Sequence, residues 1–171
     1  MGAALRPRRT DMAGRRPAHE GRDPARALQF VPSGELPWFP FLSELVRIKL
    51  CSVNRTTGEI ALLLQVAAGG GLGAHYYHGT AATYTVKGRW RHREHGWVSG
   101  PGDVMIAPAG SMHSMETVGE DPVEAFVHIS GAIEFRNDEG KTLCIENAET
   151  LHGRYLAHCA LHGITPRDVA R

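Results

Sequence analysis

The chain has 171 residues, 42% of them apolar, and a formal charge of +1, which suits one ordinary core and is too short for two comfortable domains. That even balance offers nothing to a nucleic-acid partner, and no apolar run approaches the roughly 20 residues of a membrane helix. Ten histidines are the compositional oddity, while the three cysteines, Cys51, Cys144 and Cys159, lack any C-x-x-C pair and suit free thiols in a reducing, cytoplasmic compartment.

Residues 1–27 are rich in Arg, Gly, Pro and Ala and hold almost nothing apolar to bury. Such a segment does not offset its own ordering entropy, so a disordered extension dispensable for stability is expected there, with one domain over 28–165. Residues 27–31 read as a short strand stopped by Pro32, and Trp38 and Phe39 between prolines as an extended cap on one end of the domain. Residues 46–53 alternate Val46, Ile48 and Leu50 against Arg47, Lys49 and Cys51, the period of a half-buried strand, and 60–66 are a nearly continuous apolar run.

Further short strands are expected at 74–78, 80–87, 89–94, 103–107, 112–118 and 123–130, with Gly79, Gly88, Gly102, Gly110 and Pro122 at or near the breaks. Glycine-punctuated strands of this kind predict an all-β fold, a single antiparallel β-barrel of jelly-roll type. A short strand pair follows, and then a C-terminal α-helix over 147–162. Asn147 is its N-cap, and Leu151, Tyr155, Leu156, Cys159 and Ala160 form its apolar stripe. On a packing helix His152, His158 and His162 read as surface or rim residues.

Neutral imidazole is the commonest protein ligand for first-row metals, so the strand histidines carry the chemistry. Residues two apart on a strand share a face. His75 therefore shares its face with Tyr77, whereas His78 joins them only if a bulge, which Gly79 permits, turns it inward. His92 and His95 follow a turn and alternate with arginines, which reads as a solvated edge.

Gly102, five residues, Pro108-Ala109-Gly110, two residues and His113 resemble the second cupin motif, and 75–88 resemble the first. Tyr84-Thr85-Val86-Lys87-Gly88-Arg89-Trp90, Glu94, Trp97, Thr150-Leu151 and 154–159 are similar to the cupins grouped with 2,4'-dihydroxyacetophenone dioxygenase. That resemblance implies a cupin barrel with one mononuclear non-haem ferrous iron, or another divalent transition metal, held chiefly by histidines. It also implies dioxygen-dependent cleavage of a carbon–carbon bond beside a ketone in a small hydroxyketone or diketone. A homodimer is a further implication.

By position, the resemblance makes His75 the first ligand and His113 the last. The pattern's second histidine falls on Tyr77, and its further ligand position on Ala81 and Ala82. Three outcomes stay open: His78 turned inward as third ligand, which is preferred; Tyr77 as a phenolate ligand; or an empty site. Glu94 matches an acidic position and is the candidate catalytic base, with Met105, Met115 and Phe126 as apolar lining. The alternative to an enzyme is a non-catalytic cupin that senses a divalent metal or small molecule, as the cupin domains of zinc-dependent anti-sigma factors do.

Overall fold

A computed structural model describes residues 28–171; the extension expected over 1–27 lies outside the described residues. Among the described residues a short 3-10 helix (Ser33–Glu35), eleven strands and one α-helix follow in chain order. The first strands are β1 (Phe39–Phe41), β2 (Ser43–Val53), β3 (Glu59–Val66), β4 (Gly71–Tyr77), β5 (Ala81–Lys87) and β6 (Trp90–His92). Then come β7 (Val104–Ala107), β8 (Met112–Thr117), β9 (Val123–Ser130), β10 (Ile133–Arg136), β11 (Thr142–Glu146) and α1 (Ala148–Leu161). Residues 28–31, expected as a strand, form none.

The strands form two antiparallel sheets, six-stranded in the order β1-β2-β3-β9-β5-β7 and five-stranded in the order β11-β10-β4-β8-β6. The sheets face one another as a jelly-roll sandwich, and among the described residues no ladder joins them into the closed barrel that the strand series predicts. The core is the space between their inner faces. On β2, Val46, Ile48, Leu50 and Val53 point into it, while Cys51, at the register shift after Leu50, is buried on the outer side beside Ala61 and Leu63. β3 alternates: Ile60, Leu62, Leu64 and Val66 are buried while Ala61, Leu63 and Gln65 sit on the outer face. The apolar run is thus one core-facing stripe plus two outer apolar residues.

Asn147 caps α1 in a full capping box, accepting from the backbone N–H of Glu149 and Thr150 while Thr150 Oγ1 accepts from the Asn147 N–H. The buried stripe is Ala148, Leu151, Tyr155 and Cys159; Leu156 stays partly exposed and Ala160 exposed. The helix leans on β2 and β11, and Phe39 packs against Tyr155 at 6.3 Å between ring centroids. Ordered structure runs past the expected end at 165. Val169 is 1% exposed, and residues 169–171 hydrogen-bond alongside the end of β2.

Candidate metal centre between the sheets

Three neighbouring strands of the smaller sheet build the site. β8 is central, with β4 on one side and β6 on the other. His75 lies directly opposite His113, while His92 lies opposite Met115, two residues along β8 on the same face as His113. All three imidazoles therefore enter the sandwich from one sheet. They are 1%, 2% and 6% exposed for His75, His92 and His113, and one ring nitrogen from each lies within 4.8 Å of the others.

Each ring is held. The Nδ1–H of His75 donates to the Gly73 carbonyl at 2.8 Å, since a carbonyl only accepts, and this leaves Nε2 as the bare lone pair. The register shift of β4 falls between Leu72 and His75, so the irregularity that brings the Gly73 carbonyl to the ring precedes the histidine. His92 stacks on His113 at 4.1 Å and 11°, with Trp90 and Trp97 edge-on at 5.1 and 5.4 Å. The Trp90 indole donates to Thr85 Oγ1 on the opposite sheet, and Thr85 pairs with Ser99, a buried polar chain that fixes the β6 edge. His113 follows the turn at Pro108, where Gly110 adopts φ 84°, a left-handed conformation that disfavours any side chain.

Burial pushes His75 down to about 4 and His92 down to about 3, and it lowers His113 too. Three neutral imidazoles therefore converge, the protonation state that binds metal. The Nε2 of His113 is buried with no hydrogen-bond partner among the described residues. A buried polar atom left alone costs about 1–3 kcal/mol, and a metal ion satisfies it. The residues present fit a first-row transition ion on three histidines with positions left open.

The other candidates fall differently. Tyr77 is buried beside the trio, edge-on to His75 at 5.2 Å and 5.8 Å from His113; burial pushes its phenol up, so the group is a neutral phenol. His78 points to the outer face, 3.2 Å from Glu134 Oε2, with its side chain 44% exposed. Gly79 has another reason than a bulge: a Cβ there would lie 1.4 Å from the Ser130 carbonyl oxygen. Glu94 is exposed and accepts from the Ser114 N–H at 3.0 Å, fastening the chain after β6 to the residue beside His113. Burial opposes its ionisation, but hydrogen bonds from Ser114 outweigh it and leave the carboxyl below its usual range.

His92 is the residue that reading the strand edge as solvated misses. Its signal is the alternation itself, because Arg91 and Arg93 face outward to Glu116 while Trp90 and His92 face inward. His95 is exposed, stacked on Trp97 and 6.2 Å from His113. Of the apolar lining, Met105 and Met115 face the site, whereas Phe126 lies on the outer face of β9. Outside the trio opens a cleft of about 750 Å³ bordered by His92, His95, Trp97, Asp103, Met105 and His113.

Residues 27–133 match the family model described as the ChrR cupin-like domain. An RmlC-like cupin protein of Ralstonia eutropha JMP134 is 30% identical with a TM-score of 0.81, over 85% of this chain and 95% of its own. Two more distant crystal structures share the fold. A cupin-like protein of the same strain is 22% identical, with a TM-score of 0.75 over 85% and 93% of the two chains. An acetylacetone dioxygenase from Acinetobacter johnsonii is 16% identical, with a TM-score of 0.68 over 80% and 95%. No curated protein matches the chain.

Proposed function

Since the chain belongs to the ChrR cupin-like domain family, we propose that it is a mononuclear iron cupin. In this reading His75, His92 and His113 hold one ferrous ion, and a small hydroxyketone or diketone is cleaved with dioxygen. The observation that carries it is the convergence of three buried imidazoles whose ligating atoms lie within 4.8 Å, one of them a partnerless Nε2. The name of the Acinetobacter neighbour, acetylacetone dioxygenase, brings diketones into the proposal.

Bound iron supplies chelation and polarisation of the ketone and the redox chemistry of dioxygen, which no side chain here offers. The chain does the rest. The Gly73 carbonyl orients His75, and Trp90 and Trp97 clamp His92. The cleft receives the ketone, with Met105 and Trp97 for its carbon skeleton and His95 and Asp103 at its polar rim. Glu94, ionised and tied to Ser114, adds negative charge near the trio and holds the His113 strand in place. Its lowered pKa makes it a weak base, so we assign it positioning and charge rather than proton abstraction. Tyr77 remains a neutral phenol that packs the trio.

For a hydroxyketone R–CO–CH2OH the carbon–carbon bond breaks, and both oxygen atoms of dioxygen enter the products R–COOH and formic acid. The test is metal content of the purified chain, followed by oxygen-electrode assays of the iron-loaded protein with acetylacetone and 2-hydroxyacetophenone. Iron near one equivalent with stoichiometric oxygen uptake supports the reading. Bound metal with no oxygen uptake on either ketone class transfers the protein to the metal-sensing alternative.

A further inference from the structure

The histidine trio stands between two unlike spaces. Outward lies the cleft already described. Inward, between the sheets, lies a second space of about 50 Å³ bordered by His75, His92 and carbon-rich side chains. Every residue bordering it is buried except Met105, which is half-buried. His92 and Met105 border both spaces and so form the partition.

Short side chains on two neighbouring strands of the larger sheet account for the inner space. The inward positions of β5 are Ala81, Thr83 and Thr85, and its neighbour β9 adds Ala125 at the same level. Of these, Thr83 and Ala125 border the space together with the rings of His75, Tyr77 and Phe135, while Thr85 is taken up by its bonds to Trp90 and Ser99. Sheets packed face to face stand about 10 Å apart, a gap that short residues on one side leave unfilled.

A site for water needs two to four polar partners, and a carbon-lined space without them stays dry and takes up apolar guests. The inner wall is almost wholly carbon, and the Nδ1 of His75 is already committed to Gly73. Its volume exceeds the ~15 Å³ that admits one water-sized probe and stays well below that of a drug-like ligand. Only a molecule of a few atoms fits.

We infer that the inner cavity is a binding site for one small apolar molecule of the size of dioxygen, delivered to the histidine trio from the side opposite the ketone. The assignment of dioxygen as working guest rests on the dioxygenase reading; the cavity's affinity for an apolar gas does not. Met105, an unbranched and adaptable side chain, is the partition that a gas can pass and a ketone cannot.

Xenon is the probe, applied to the full-length wild-type chain by gas-pressurised crystallography and by xenon NMR in solution. One xenon between Ala125 and His75 is expected. Ordered water there, or no xenon between the sheets, overturns the proposal. Ala125→Val, which fills the cavity from β9, should remove the xenon site and raise the KM for dioxygen by about threefold or more with the KM for ketone unchanged. Thr83→Val, which keeps the volume and makes the wall more apolar, should retain xenon; loss of xenon in this folded variant also overturns it. An unchanged dioxygen KM in folded Ala125→Val refutes the delivery role. Xenon bound by a protein that consumes no dioxygen keeps the cavity and removes the dioxygenase reading, so the two failures are separable.

Discussion

The two faces of the smaller sheet carry similar chemistry and opposite arrangements. On the outer face every charge that the strands present beside the site has a mate. Glu116 takes Arg91 and Arg93, and Glu134 takes Arg136, Thr142 and His78, with Arg136 also 5.3 Å from the Tyr76 ring. On the inner face three buried histidines meet with no carboxylate among them, one ring nitrogen of each within 4.8 Å of the others, at the inner end of the cleft. Paired charges at a surface are ordinary sheet stabilisation. Converging buried imidazoles, one with a partnerless Nε2, cost stability and mark a candidate binding site. The same strand β4 and the residue after it place His75 on one face and His78 on the other, so histidine content alone does not mark the site.

The most forceful way to break this contrast is to remove one imidazole from each face. His92→Ala should lower metal affinity by about a hundredfold or more, measured by metal analysis and calorimetric titration, with the fold retained by circular dichroism. His78→Ala should leave metal content unchanged. Metal lost from His78→Ala and kept by His92→Ala would move the centre to the outer face.

Acid should separate the faces next. In metal-free protein His75 titrates near 4 when folded and near 6.5 when unfolded, so between those values the unfolded chain binds the extra proton. Stability is therefore full above pH 6.5 and falls as pH drops toward 4, by about 3 kcal/mol for this one group. Glu134 is also shifted down, to about 2, but because hydrogen bonds from Arg136, Thr142 and His78 favour its charged form, whereas burial disfavours that of His75. Its contribution is present above about 4.5 and disappears only as pH falls through 2. Urea unfolding of the metal-free chain from pH 7 to 4 should show the first loss, and His75→Gln should reduce it, leaving the share of His92 and His113; a slope indifferent to that change would mean that His75 is not among the acid-sensitive groups.

A smaller effect is expected where the faces meet. Glu94→Gln keeps the acceptor for the Ser114 N–H and removes the charge, so metal affinity should fall by about tenfold or less while the melting temperature of the metal-free protein hardly moves. A drop as large as that of His92→Ala would make Glu94 a direct ligand. The smallest change belongs to Glu116→Gln, which touches only exposed arginines; metal content should be unaltered, and any detectable loss would show that the outer pairs position the inner ring of His92.

Strand-by-strand alternation, glycine at the breaks and the Asn147 cap are local properties, and they were readable from residue order because pleat, turn and helix impose fixed periods on neighbours. His113 was legible for the same reason, following a Pro-x-Gly turn onto a strand, and so was the pairing of His75 with Tyr77 on one face. The third member of the cluster was not. His92 joins His75 and His113 only because β6 lies beside β8 in a register that sets it opposite Met115, and register between distant segments follows from packing of the whole sandwich. Gly79 shows the converse: its lack of a side chain suited a bulge equally well, and only the approach of the Ser130 carbonyl gives its reason. Residue order thus determined which side chains share a face of a strand, a matter of neighbours two apart. Tertiary structure alone decided which faces meet, that the two sheets remain a sandwich, and that Thr83 and Ala125 leave a largely carbon-lined space behind the histidines, because those depend on contacts between residues far apart in the chain.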